Sequence, residues 1–405
     1  MSTVDQDTGE VSARASLVND PKVRGLFYQV LLIAVLVFVG WSIVSNTIDN
    51  LARQNIASGF GFLGNTAGFG IIQALVPYAE TSSYGQALVV GFFNTLLVAV
   101  IGIVFATVLG FVVGIARLSN NWVISRLAYA YVELIRNIPL LLQIFFWYFA
   151  VLRAVPDKRD RWSFLFDTVH LNIAGLWLPR PELEPGSSAV GVALLVGVAA
   201  AIAMRIWARR RQEATGKQFP VILTALGLIV GLPLVVFLAA GMPLHLSHPV
   251  FVEEGPILRR GFTLGSGMNL IPELLALTLA LSIYTASFIA EIVRAGIQAV
   301  SHGQTEAAHA LGLRNGQTLR LVVIPQAMRV IIPPLTSQFL NLTKNSSLAV
   351  AVAFPDLVSV GGIVLNQTGQ AIEIIAIWMI VYLSLSLATS AFMNWYNRRM
   401  ALVER

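Results

Sequence analysis

The sequence predicts an all-α membrane protein that crosses the bilayer about eight times. Hydrophobic residues make up 56% of its 405 residues and charged residues only 12%, whereas soluble domains carry about 25% charged residues. Apolar runs of 18 or more residues recur along the chain, and each is long enough to cross a hydrocarbon core about 30 Å thick as a helix. A soluble fold could not cover so much apolar surface with so few charges, so these segments require a bilayer.

The apolar runs divide the chain into spans and connecting segments. The eight predicted spans lie near residues 27–47, 88–116, 127–152, 189–206, 220–241, 270–296, 327–350 and 371–393. We therefore distinguish an N-terminal tail (1–26), a first span with an interfacial segment (27–87), a first core segment (88–152), an insertion with two extra spans (153–269), a second core segment (270–397) and a C-terminal tail (398–405).

The distribution of basic residues predicts which loops face the cytoplasm. Arg24 precedes the first span, Asn397–Arg399 follows the last, and an Arg-rich segment, 205–217, follows the fourth. The positive-inside rule places all three, and hence both termini, in the cytoplasm. Lys158–Arg161 is an exception because it falls on the outer side, although Asp157 and Asp160 offset part of its charge.

Three long segments are expected on the outer side. The segment 48–87 is rich in Gly-Phe pairs and is predicted to lie along the membrane interface. The segment 153–188 carries Pro179, Pro181 and Pro185, which favour extended or turn structure. The segment 242–269 carries His245 and His248, whose spacing of three in a loop is a weak metal signature, so we expect no metal site there.

Several kinds of chemistry have no motif in this chain. It has no Gly-x-x-x-x-Gly-Lys-Ser/Thr loop for ATP, no His-Glu-x-x-His pair and no Gly-x-Ser-x-Gly nucleophile elbow. It also has no cysteine, which excludes disulfides and thiolate ligands. The net charge of +6 is explained by membrane orientation rather than by nucleic-acid binding. We therefore expect no catalytic residues and no cofactor on this chain.

Small residues and prolines within the spans predict their packing. Gly110 and Gly114 form a small-xxx-small pair in the second span, which indicates either close helix packing or a subunit interface. Pro333 and Pro334 are expected to kink or break the seventh span near its start.

Charged residues inside spans are costly and indicate functional positions. Glu133 and Arg136 are three residues apart on one helix, as are Glu291 and Arg294, so each pair could form a salt bridge or could line or gate a pathway. Lys344 is followed by amide and hydroxyl residues. It could face a hydrated cavity and bind a substrate carboxylate, or it could pair with Glu291 or Glu133.

The connection between the sixth and seventh spans, 300–325, is predicted to form a helix–turn–helix elbow. Thr305 begins the first short helix and Gly312 ends it. Asn315 caps the second, which should end before Pro325 because proline restricts the residue that precedes it. Such short helices need support from the membrane domain or from a partner.

The first elbow helix has the residues that an approaching partner would need. Ala307, Ala308 and Ala310 are expected to point outward and to allow another surface to come close, while Glu306 offers a charged anchor. These residues alone leave open whether the elbow binds a partner or is a structured connector.

The elbow also resembles a known motif. Glu306-Ala307-Ala308, three residues, Gly312, nine residues and Val322-Val323-Ile324-Pro325 resemble the Glu-Ala-Ala loop of binding-protein-dependent ABC transporter permeases, which has Ile and Leu in place of Val322 and Ile324. The resemblance implies that this loop is the coupling helix that docks on a separate ATPase. The site residues that it implies are Gly303, Glu306, Ala307, Ala308, Gly312 and Pro325.

The flanking sequences resemble the polar amino acid permeases of this family, which include the histidine, glutamine and general L-amino acid permeases. The matching stretches are 136–141, 284–297 and 341–348. The extra material near 153–262 resembles the longer general L-amino acid permease subunits of Gram-negative bacteria.

The resemblance implies a permease subunit of an ATP-driven importer that moves polar L-amino acids from the periplasm across the bacterial inner membrane. Its implied partners are an ATPase dimer that binds ATP and Mg, a second homologous permease (a heterodimer is expected), a periplasmic amino-acid-binding protein and membrane lipid. The alternative is an ion-coupled secondary transporter, which would have no need of a docking loop. The sequence leaves open which amino acids are carried and whether the two permeases are identical.

Overall fold

The computed structural model of the chain describes residues 21–53, 59–254, 260–263 and 265–400. The first 20 residues of the predicted N-terminal tail and the last five of the C-terminal tail lie outside the described residues. The helices are α1 (Pro21–Arg53), α2 (Tyr84–Ala116), α3 (Trp122–Asn137), α4 (Leu140–Phe145), α5 (Ser187–Thr215), α6 (Val221–Leu226), α7 (Leu232–Ala239), α8 (Pro272–Gln298), α9 (His302–Ala310), α10 (Asn315–Thr318), α11 (Ile324–Asn345), α12 (Leu357–Thr368) and α13 (Ala371–Met400). The strands are β1 (Trp162–Phe164), β2 (Val169–Asn172), β3 (Gly175–Leu178), β4 (Arg180–Leu183), β5 (Leu244–Ser247), β6 (Phe251–Val252), β7 (Gly261–Phe262) and β8 (Met268–Leu270).

The helices confirm the predicted polytopic membrane fold. Within the described residues, seven helical segments are long and apolar enough to span a bilayer, and the bent pair formed by α3 and α4 makes up to eight. The prediction of the third span as one helix over 127–152 is wrong, because this span consists of two helices that meet at an angle of 107°. The break lies at Ile138-Pro139, where Ile138 is extended as a residue before proline usually is.

The side chain of Gln143 stabilises this break. Its amide nitrogen donates hydrogen bonds of 2.9 Å to the carbonyl oxygens of Ile135 and Ile138, which the interrupted helix leaves without an intrahelical partner. Because lipid offers no hydrogen bonds to exposed backbone groups, a break at membrane depth requires such a buried polar side chain. Gln143 is accordingly buried.

The seventh span is longer and less interrupted than predicted. A continuous helical segment, Asn315–Val352, includes the second elbow helix, so the expectation that this helix ends before Pro325 is wrong. A π-helical turn at Leu319–Val323 precedes the proline and shifts the hydrogen-bond register where the proline ring would otherwise meet the preceding turn. Pro333 and Pro334 lie inside α11 without breaking it.

The core is built on close contact between α2 and α8. A Cβ atom added at Gly110 would lie 2.6 Å from the Cβ of Ile289, and one added at Gly114 would lie 2.7 Å from the carbonyl oxygen of Ala290. Only glycine permits the two helices to approach this closely. Gly110 and Gly114 therefore serve helix packing within the chain, the first of the two predicted alternatives.

A second cluster packs around α12, a short apolar helix that the sequence did not predict. Its N-terminus meets α2 at Gly91, where an added Cβ would lie 2.9 Å from the backbone of Leu357. Asp356 caps this helix by accepting a 2.8 Å hydrogen bond from the backbone amide of Ser359. Phe62, from the predicted interfacial segment, is buried in this cluster, so part of that segment belongs to the core instead of the membrane surface.

The insertion contributes three small antiparallel sheets. Strands β1, β2, β3 and β8 form one sheet in that order, and β4–β5 and β6–β7 form two pairs. Trp177, His170 and Phe251 surround the ring of Phe262, with Trp177 stacked on it at 4.5 Å between centroids. The prolines indicated extended structure here, but the sequence did not predict sheets.

The two ends of α8 define two faces of the molecule. Strand β8 directly precedes α8 and the elbow directly follows it, and the 27 residues of α8 rise about 40 Å. We call these ends the sheet face and the elbow face. Helix α5 starts directly after β4, so its Arg-rich end points to the elbow face. Helix α13 begins beside α12 and the first half of α2, so Arg398 and Arg399 also point there.

Candidate functional site

The candidate site is the elbow, 300–325, together with the charged residues of the helix ends beside it. Helix α9 is the first elbow helix, and it begins at His302 rather than at the predicted Thr305. Gly312 follows α9 with φ of +77°, a left-handed conformation that favours glycine. The backbone amides of Gly312 and Leu313 donate to the carbonyl oxygens of His309 and Ala308 at 2.9 and 3.1 Å, which closes the helix as predicted.

One side of α9 is exposed and presents a charge beside small and apolar residues. Glu306, Ala307, Ala310 and Leu311 are exposed, and Leu311 retains 83% of its accessible surface. We call these four residues the coupling surface. Ala308 is only 3% exposed, so the expectation that it points outward is wrong: it is the residue through which α9 packs on the rest of the elbow.

Two contacts fix the position of the coupling surface. Nδ1 of His302 lies 3.0 Å from Oε1 of Glu306, one helical turn away. The side-chain amide of Gln326, at the start of α11, donates to Oε1 of Gln304 at 3.1 Å. The second contact ties α9 to the seventh span, so a displacement of α9 would be passed to α11.

The two remaining predicted elbow residues lie at the starts of helices. Gly303 lies in the first turn of α9 and Pro325 in the first turn of α11. Beside them, Arg314, Gln317 and Arg320 line an open cleft of about 640 Å³. Arg314 and Arg320 make this cleft positively charged.

A three-residue ion cluster lies where α8 approaches the elbow. Glu291 pairs with Arg294 on the same helix, as predicted, and also with Arg117 at the end of α2. The guanidinium group of Arg117 lies 5.3 Å from the ring centroid of Tyr129 on α3. The cluster thus joins three helices. Sequence reasoning missed Arg117 because it pairs with a residue 174 positions away.

The second predicted pair does not form. Among the described residues, Glu133 and Arg136 make no salt bridge with each other. The guanidinium group of Arg136 instead lies over the ring of Phe288 on α8, 5.1 Å from its centroid. Arg136 is exposed and Glu133 is half-buried, which leaves both side chains accessible.

Lys344 is exposed on α11. Of its two alternatives, the pairing with Glu291 or Glu133 does not form, since Glu291 binds Arg117 and Arg294 and no described carboxylate forms an ion pair with Lys344. Its neighbour Leu342 packs on Gly102, midway along α2, so Lys344 lies near the middle of the membrane. An amine at this depth needs water, an anion or another chain beside it.

The described residues form no candidate metal site. No group of three or more His, Asp or Glu side chains is arranged to hold a metal ion. His245 lies in β5 and His248 follows that strand on the sheet face.

Comparison with known proteins identifies the family. The family described as "Binding-protein-dependent transport system inner membrane component" matches residues 106–402. The chain belongs to this family. It is an inner membrane permease component of such a transport system.

Three curated relatives resemble this permease over nearly its whole length. It is 55% identical to the general L-amino acid transport system permease protein AapQ of Rhizobium johnstonii, over 96% of this chain and 95% of that protein. It is 52% identical to the putative amino-acid ABC transporter permease protein YhdX of Escherichia coli, over 95% and 96%. It is 40% identical to the glutamate/glutamine/aspartate/asparagine permease BztB of Rhodobacter capsulatus, over 96% of each. Matches of this extent include the 153–269 insertion.

Proposed function

We propose that this permease imports polar L-amino acids and is driven by a separate ATPase that docks on the coupling surface. The observation that carries the proposal is an exposed patch of Glu306, Ala307, Ala310 and Leu311 on a short helix at the end of α8, in a member of a binding-protein-dependent family. An exposed leucine beside two alanines and a carboxylate is suited to close contact with a partner. The amino acid substrate class is supported by the names of the relatives.

The proposed mechanism follows the contacts of the elbow. ATP and Mg bind to the partner ATPase, and closure of its dimer displaces α9. The hydrogen bond between Gln304 and Gln326 passes this displacement to α11. The Glu291 cluster holds the ends of α2 and α8 together, so these helices move as one unit. The spans then alternate between access from the sheet face and access from the elbow face.

The two faces of the molecule support an orientation in the membrane and a side for each partner. The elbow, the Arg-rich end of α5 and the basic end of α13 share one face, which we assign to the cytoplasm by the positive-inside rule. The sheet face is then periplasmic, where an amino-acid-binding protein delivers its ligand. The exposed, mid-membrane Lys344 is suited to line a pathway between this chain and a second permease subunit, where it would attract the substrate carboxylate.

The coupling surface is tested by reversing the charge of Glu306. Glu306→Lys should abolish co-purification with the partner ATPase, and amino acid uptake by reconstituted complexes should fall to background. Glu213→Lys is the matched control, because Glu213 is also exposed and also lies toward the elbow face, on a helix that packs on the α6–α7 segment. Co-purification of the Glu306→Lys variant at the wild-type level would contradict the proposal.

Reconstitution separates this function from secondary transport. Proteoliposomes that contain the permeases, the ATPase and the binding protein should accumulate amino acids only when ATP is enclosed on the elbow side. Uptake driven by a proton or sodium gradient without the ATPase would instead support an ion-coupled secondary transporter.

A further inference from the structure

The insertion forms a helical hairpin that is separate in its packing from the core. Helix α5 packs on the helical segment α6–α7, and the contact is closest at Gly197, where an added Cβ would lie 2.2 Å from the carbonyl oxygen of Leu228. On the elbow side of this contact the two helices enclose an open cleft of about 600 Å³. This volume is in the range of small-molecule sites.

The lining of the cleft is apolar except for one arginine. The apolar walls are supplied by α5, with Val198 and Ile202, and by α6, with Ile222 and Ala225. Arg205 is the charged residue in the lining. An apolar wall that ends in a single cation matches the chemistry of an amphiphile with an anionic head.

The position of Arg205 along α5 corresponds to the level of lipid headgroups. Arg205 lies about 27 Å along the helix from Ser187, where α5 begins after the sheet region, and the hydrocarbon core is about 30 Å thick. Trp207 packs edge-on against Phe219 at 5.5 Å between centroids, and tryptophan is typical of the membrane interface. The head of a lipid in the inner leaflet would therefore be level with Arg205.

The charges around the cleft favour an anion. Glu213 is the one carboxylate on α5, and it pairs with Arg209 at 3.0 Å, while Arg211 lies over the ring of Trp207. Among the described residues, Arg205 and Arg210 form no ion pair. This local excess of positive charge goes beyond what membrane orientation requires, because Arg205 lies within the apolar cleft rather than beyond it.

We propose that the cleft between α5 and α6 binds an anionic phospholipid, with an acyl chain against the apolar walls and the phosphate on Arg205. Juxtamembrane cations attract anionic lipids, and basic pockets between spans select their headgroups. The insertion then gives the permease a lipid site outside the substrate pathway. The bound lipid fills the gap between two helices that the core does not support.

The proposal is tested by native mass spectrometry of the full chain purified from membranes, with added phosphatidylglycerol or phosphatidylcholine of the same acyl chains. Wild-type protein should retain phosphatidylglycerol in preference to phosphatidylcholine. Arg205→Ala should lower phosphatidylglycerol binding about fivefold, the effect of one cation near the membrane surface. Ala225→Phe should lower the binding of both lipids, because it fills the cleft without changing the charge.

Two controls make the outcome decisive. Arg398→Ala removes a cation from the same face, outside the cleft, and should leave lipid binding unchanged. Because the chain has no cysteine, Ile222→Cys places a single thiol in the cleft, and its cross-linking to a second permease subunit would show that a protein helix occupies the site. That result, equal binding of the two lipids, or unchanged binding in the Arg205→Ala and Ala225→Phe variants would each overturn the proposal.

Discussion

The contact between α2 and α8 should not tolerate a single added methyl group at Gly110. In Gly110→Ala the new Cβ would lie 2.6 Å from both Cβ and Cγ2 of Ile289, and 3.1 Å from the carbonyl oxygen of Ala286. Ordinary carbon contacts are about 3.5 to 4.0 Å, so the helices must separate by about 1 Å. Overpacking of this kind costs about 1 to 3 kcal/mol, and a gain of up to about 1 kcal/mol in helix propensity offsets only part of it.

The matched control is Gly362→Ala in α12, where an added Cβ has no atom within 4 Å. It should gain helix propensity without a clash and be as stable as wild type or slightly more stable. We therefore expect Gly110→Ala to be about 2 kcal/mol less stable than Gly362→Ala, which corresponds to a difference of about 2 to 4 °C in apparent Tm. Fluorescence-detected size-exclusion chromatography after heating measures this difference in detergent.

A double variant identifies the cause of the loss. Ile289 is fully buried, so Ile289→Ala alone should destabilise the protein by about 2 to 5 kcal/mol. Combined with Gly110→Ala, it removes Cγ2, one of the two Ile289 atoms that clash, so the double variant should lose less stability than the sum of the two single losses. Strict additivity, or equal Tm values for Gly110→Ala and Gly362→Ala, would refute the reasoning that glycine is required here.

Two further predictions concern the ion cluster and the four-stranded sheet. Glu291→Gln leaves the nearly buried Arg117 without its carboxylate, so stability should fall by about 2 kcal/mol, measured as a lower apparent Tm, and uptake should fall with it. Burial lowers the pKa of His170, and Arg161 lowers it further, while Asp167 opposes them. In the unfolded chain the histidine titrates near pH 6.5, so the folded sheet binds fewer protons than the unfolded chain around this pH. The stability of the folded sheet should therefore fall as the pH drops from about 7.5 to about 5. Limited proteolysis of the sheet region should accelerate over that range.

Each of these predictions has a control. Glu133→Gln removes a carboxylate that forms no ion pair among the described residues, so it should leave the Tm unchanged, and an equal loss in the two glutamine variants would argue against the cluster. His170→Asn cannot titrate, so its proteolysis should not depend on pH in this range. An unchanged pH dependence in His170→Asn would show that another group is responsible.

Hydropathy and single-residue patterns predicted most of the membrane fold. Continuous apolar runs located the spans because every backbone group in lipid must be bonded within a helix. Gly312 was predicted as the end of the first elbow helix because its position requires a left-handed conformation, and it has φ of +77°. Both features are determined by neighbouring residues in the chain or by the bilayer, so a short stretch of sequence is enough to predict them.

Features that depend on distant residues could not be predicted in this way. The bend at Pro139 is stabilised by Gln143, and nothing in the local sequence distinguishes that glutamine from others. Arg117 meets Glu291 only because α2 and α8 run side by side. The sheets combine strands from 162 to 270, and strands of two to four residues are too short for a recognisable alternation of apolar and polar residues.

Helix α8 joins the sheet face to the elbow face without interruption. Its first turn is held by the hydrogen bond between Tyr148 and Glu273 at 2.8 Å, and its last turns by the Arg117–Glu291–Arg294 cluster. A rod about 40 Å long that tilts by about 5° around one end moves its other end by about 3.5 Å. A small rotation of this rod is thus enough to open or close a gap the width of a water molecule at the opposite membrane surface.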